Sequence, residues 1–102
     1  MSWDIILEIP LPGTNVDLFD ESSLEAFDLT AVQNCLRVIC PHITETRPLW
    51  MLYEERSFEM EFDLAEDFIM LHVHILEPTG EQQFLILLGE ICKKLQCRAF
   101  DT

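Results

Sequence analysis

Between residues 57 and 64, Phe58, Met60, Phe62 and Leu64 alternate with Ser57, Glu59, Glu61 and Asp63. Successive side chains of a strand point to opposite faces, so this stretch predicts a strand with one apolar face and one row of carboxylates. Residues 68–76 follow after a short link, 65–67. Here Ile69, Leu71, Val73 and Ile75 fall on one face and Phe68, Met70, His72, His74 and Leu76 on the other. With both faces largely apolar, the segment predicts a central strand, and a three-residue link suits an antiparallel hairpin with 57–64. Pro78 cannot donate to a strand ladder and closes it. Thr79 and Gln82 then have the spacing of a capping box. Phe84, Leu87, Leu88, Ile91, Cys92 and Leu95 recur at three and four residues, which predicts a helix over 81–96. Lys93 and Lys94 sit in its last turn, where cations complement the helix dipole. Residues 98–100 predict a short closing strand.

The first half of the chain repeats these themes less cleanly. Trp3, Ile5, Leu7 and Ile9 alternate with Asp4, Ile6 and Glu8, so 3–9 predicts a strand with one buried and one partly wet face. Pro10, Pro12 and Gly13 end it. Residues 14–28 are acidic with scattered apolar positions and predict a connecting loop with a helical turn over 22–27. Thr30 and Gln33 have capping-box spacing ahead of Val32, Cys35, Leu36, Ile39 and Cys40, one helix face that Pro41 ends. Residues 42–48 read as a connector and 49–53 as a strand. The order strand, helix, three strands, helix, strand predicts an α+β fold: a single mixed or mainly antiparallel sheet of about five strands with two helices packed on one face. At 102 residues and 49% apolar composition, the chain is expected to be one domain with one modest core.

Charge changes the functional picture. Nineteen acidic residues against six basic ones give a formal charge of −13, which argues against direct binding to nucleic acid or an anionic membrane. The carboxylates gather in two blocks. One holds Asp17, Asp20, Glu21, Glu25 and Asp28; the other holds Glu54, Glu55, Glu59, Glu61, Asp63, Glu66 and Asp67. Such blocks either keep a surface solvated or meet a basic partner, whose association they accelerate. No apolar run approaches the roughly 20 residues needed to cross a bilayer. Asp4 and Glu8 precede the first basic residue, Arg37, so the start does not read as a secretory signal and a cytoplasmic location is expected. Cys35, Cys40, Cys92 and Cys97 are expected to be free, mostly buried thiols.

Candidate chemistry is sparse. His72 and His74 share one face of a strand and could both ligate a metal, but no third ligand is placed by the spacing. Cys40 with His42 or His72 could pair a nucleophile with its base, yet no orienting third group is signalled. Glu59 and Glu61 on an open strand face suit a charge patch better than a catalytic pair. Gly13, Gly80 and Gly89 form no phosphate-cradling loop, and no cofactor is expected.

The segments FEMEFDL, FIMLHVHI and ICKKLQCRAFD resemble a group of small bacterial α+β proteins. In that group an acidic and aromatic strand precedes a strand of M-L-H-V type, and an amphipathic helix leads to a terminal strand ending in Asp, here Asp101. Small acidic proteins of this kind resemble the immunity proteins that neutralise secreted bacterial toxins. Cys97 departs from the pattern, which has an aromatic there. The resemblance implies a non-enzymatic protein that caps a cationic toxin domain, such as a nuclease. The contact is then expected at Glu59, Glu61 and Asp63, with Asp17, Asp20 and Glu21 beside them. An alternative is that the carboxylates mimic DNA and block a nucleic-acid-binding protein, as an anti-defence inhibitor would. A third is a small metal-binding domain using His72 and His74.

Overall fold

The structure is a computed structural model and describes residues 2–10 and 24–102. Its elements run β1 (Ser2–Pro10), β2 (Leu24–Glu25), α1 (Leu29–Ile39), β3 (Thr44–Arg47), β4 (Trp50–Glu54), β5 (Phe58–Asp63), β6 (Ile69–Ile75), α2 (Gly80–Leu95) and β7 (Arg98–Asp101). The fold is α+β, with two helices against one face of an antiparallel sheet. The strand order is β2-β1-β6-β5-β4-β3, and β7 also pairs with β1. Every described pairing is antiparallel.

The β5–β6 hairpin sets the register of the whole sheet. Phe58 lies opposite Ile75, Met60 opposite Val73 and Phe62 opposite Leu71. These pairs continue sideways into Trp3 and Ile5 of β1 and into Met51 and Tyr53 of β4. Because the side-chain period is two, this register sends the alternate apolar positions of both strands to the helix side at once. Phe58, Met60, Phe62, Leu64, Ile69, Leu71 and Val73 are all buried there. Val32 and Leu36 of α1 and Phe84 and Ile91 of α2 close the same core. Phe84 packs its ring 5.8 Å from Trp3 and 6.2 Å from Phe58, joining helix to sheet.

Several expectations need correction. The sheet has more than five strands, because 42–48 is not a plain connector: Thr44–Arg47 pairs with β4. All four of its residues are exposed, so no alternation marked it. The turn between β3 and β4 places Leu49 at φ 66°, a conformation few residues with a Cβ adopt. Within the expected helical turn at 22–27, residues 24 and 25 are instead a strand against β1, and residues 22 and 23 lie outside the described residues. Neither capping box forms as spaced. Helix α1 starts earlier, and its N-cap is Asp28, which accepts from the Ala31 N–H at 3.2 Å. The Gln33 amide bonds Glu45 of β3 instead, at 2.8 Å. Thr79 caps α2 without a side-chain hydrogen bond.

No helix is long and apolar enough to cross a membrane, among the described residues.

Candidate partner-binding face

The two helices cover one side of the sheet, and the polar positions of β5 and β6 fall on the other. Glu59, Glu61 and Asp63 of β5 stand there, opposite His74, His72 and Met70 of β6. On the far side of β5, the same three residues face Glu54, Leu52 and Trp50 of β4. Across β6, His74 faces Ser2 and His72 faces Asp4 of β1. The register therefore builds two rows across the sheet. One runs Ser2, His74, Glu59, Glu54; the next runs Asp4, His72, Glu61, Leu52 and Thr44 of β3.

Neighbouring side chains along one strand face are about 7 Å apart and those on adjacent strands about 5 Å apart. The carboxylates thus form a two-dimensional lattice rather than a line. Glu59, Glu61 and Asp63 are half-buried rather than fully exposed, because flanking strands crowd them. A concavity of about 360 Å³ opens over these rows, lined by Ser2, Asp4, Leu52, Glu59, Glu61 and both histidines among others.

His72 and Asp4 make the strongest contact in it, with Nδ1 2.6 Å from Oδ1. An aspartate bonded to one ring nitrogen fixes the imidazole's orientation. Among the described residues, no group of three or more histidine, cysteine or acidic side chains is arranged to hold a metal ion. The histidine pair lies on the acidic face, opposite Glu61 and Glu59.

The open face is poor in compensating cations. Arg37, Lys93 and Lys94 belong to the helices on the opposite side. Arg47 stacks on Trp50 at the β3 edge, 4.1 Å from the ring centroid. Arg56 lies 3.3 Å from Glu77. Among the described residues, none of Glu54, Glu59, Glu61 and Asp63 has an arginine or lysine partner.

Glu8 corrects the expectation of a wet face on β1. It is almost completely buried, and Arg98 of β7 covers and pairs with it. The thiol–imidazole idea also fails at Cys40. Burial, then the neighbouring Cys35, Glu55 and Glu90, push its thiol up to about 12, the reverse of an activated nucleophile. His42 sits exposed on the turn after α1.

Of the expected contact residues, Glu59, Glu61 and Asp63 are brought together on one face. Asp17, Asp20 and Glu21 lie outside the described residues. Asp4 and Glu54 belong to the face and were not singled out from the pattern. Asp4 did fall on the polar side of the β1 alternation, but only the strand order sets it beside His72. Glu54 lay just past the strand expected over 49–53, whereas β4 extends to include it.

The chain matches no protein-family model, and no curated protein matches it at a significant level.

Proposed function

We propose that this protein is a non-enzymatic binding protein whose open sheet face docks a basic surface of a protein partner. The observation that carries this reading is the juxtaposition of Glu54 and Glu59, directly opposite one another on adjacent strands with no cation between them. Like charges in that relation destabilise a sheet. Glu61 and Asp63 extend the same acidic field, with no arginine or lysine partner among the described residues. A basic partner removes the repulsion on binding, and complementary charge raises the association rate and excludes wrong partners. A sheet face is also a rigid platform, so little ordering cost accompanies docking.

The specific form of this reading is an immunity protein that neutralises a cationic toxin domain, such as a nuclease. The small size and the −13 charge support it. A photo-crosslinking residue in place of Leu52, in the middle of the face, tests it in cells of the source organism. The expected product is a covalent adduct with one basic protein, and the same probe in place of Ile86 on α2 gives none. The purified partner should carry a toxic activity that the unmodified chain suppresses in stoichiometric amount. A partner that is acidic, or one captured equally from Ile86, contradicts the reading. A partner released by duplex DNA and lacking toxicity favours a DNA-mimic inhibitor instead.

A further inference from the structure

Helix α2 ends in a turn that brings two cysteines together. Gln96 takes the left-handed conformation at φ 53°, and both the Gln96 and Cys97 N–H groups bond back to the Cys92 carbonyl, the latter at 3.0 Å. Such a turn sets the residue after the left-handed one against the last helical turn, where two apolar side chains usually touch. Here the two are thiols, and each acts on the other's titration. Both are half-buried, so small oxidants reach them, whereas Cys40 is fully enclosed. Cys35 of α1 is close enough to Cys97 to act on it electrostatically, so the pair has one competing neighbour.

The geometry points to Cys92 and Cys97 as a redox-active dithiol that closes to a disulfide under a hydroperoxide. Cys92 is the attacking sulfur. The neighbouring Cys97 thiol lowers its pKa, and Cys92 in turn, with burial, raises that of Cys97. The Cys92 thiolate attacks one peroxide oxygen, the O–O bond breaks, and hydroxide or alkoxide leaves and takes up a proton. Cys92 is now a sulfenic acid. Cys97 then gives up its proton and attacks the Cys92 sulfur, the S–O bond breaks, and water leaves. Two thiols are oxidised and one hydroperoxide is reduced. Because the turn holds the two residues side by side, forming an S–S bond of about 2.0 Å needs only local rearrangement. The cross-link would tie the last turn of α2 to the start of β7, the strand that pairs with β1 along Ile5–Glu8.

The test uses the full chain, reduced, desalted and exposed to one equivalent of hydrogen peroxide, then denatured and alkylated. Trypsin cuts after Lys93 and Lys94 and so separates the two cysteines into different peptides. The expected result is loss of two of the four alkylation sites and a disulfide-linked peptide pair joining Cys92 to Cys97. In Cys97→Ser, Cys92 should stop at a sulfenic acid that dimedone traps; in Cys92→Ser, Cys97 should stay unmodified. If all four thiols of the wild-type chain still alkylate, or the disulfide joins Cys35 to Cys97 or Cys40, the assignment is wrong.

Discussion

The guanidinium of Arg98 directs Nη2 and Nε at the same Oε1 of Glu8, at 2.8 and 3.1 Å, with the carboxylate almost wholly removed from water. This pair joins β7 to β1. Removing one member of a buried pair strands the other's charge, whereas replacing both with apolar groups does not. Arg98→Ala should therefore cost about 3 kcal/mol. The double change Glu8→Leu with Arg98→Met should recover most of that. Urea denaturation of the three proteins measures the difference; a single mutant as stable as wild type would show that the pair contributes nothing.

Gly80 and Gly89 should respond in opposite directions to alanine. A Cβ at Gly80 would lie 2.0 Å from the carbonyl oxygen of Ser57, which already accepts from the N–H groups of Leu76 and Glu77. Helix α2 must then move off the start of β5, and overpacking of this kind costs about 2 kcal/mol or more. A Cβ at Gly89 meets nothing within 4 Å. Gly89→Ala should stabilise by about 0.5–1 kcal/mol through helix propensity. Thermal melts showing the same sign for both would refute the packing described for α2.

If Glu54 and Glu59 repel across β4 and β5, neutralising one should help the fold. Glu59→Gln is expected to raise stability by roughly 0.2–1 kcal/mol, the range for cross-strand pairs. The gain should shrink as salt rises from about 0.02 to 0.5 M, since screening shortens the reach of exposed charges. A loss of stability in Glu59→Gln would mean that His74 or another neighbour compensates the charge.

The β5–β6 hairpin was legible because eight residues alternate without a break and a three-residue link joins them to the next strand. The row Glu59, Glu61, Asp63 was legible for the same reason. Strand β3 was not, because Thr44–Arg47 carries no apolar position; it exists only through its pairing with β4. The burial of Glu8 depends on Arg98, ninety residues away, and no local pattern encodes that. Asp4 and Glu54 joined the acidic face through strand order and register, which alternation alone does not specify. The α1 cap moved to Asp28 because an aspartate two residues upstream of Thr30 offered the carboxylate first.

Cys40 should make stability fall at alkaline pH. Its thiol titrates near 9.0 when unfolded and about 12 when folded, chiefly because burial disfavours the thiolate. Between these values the unfolded chain has lost a proton that the folded chain keeps. Stability is thus fully present below about pH 9 and declines as pH rises toward 12. Cys40→Ala should flatten this decline relative to wild type in denaturation curves taken across that window. An unchanged slope would place the alkaline loss elsewhere.

The most direct test of the acidic face compares two charge reversals of equal size against the partner crosslinked through Leu52. Glu59→Lys with Glu61→Lys reverses the open face; Glu81→Lys with Glu90→Lys reverses exposed positions on α2. Stopped-flow association and equilibrium affinity are measured for both at low and high salt. The face reversal should slow association and weaken binding by about tenfold or more, and lose most of its difference from wild type at high salt. The helix reversal should leave affinity within about threefold of wild type, since its charges sit on the helix layer, on the other side of the sheet from the docked face, and salt screens them. Equal losses in both variants, or none in the face reversal, would contradict docking through the sheet.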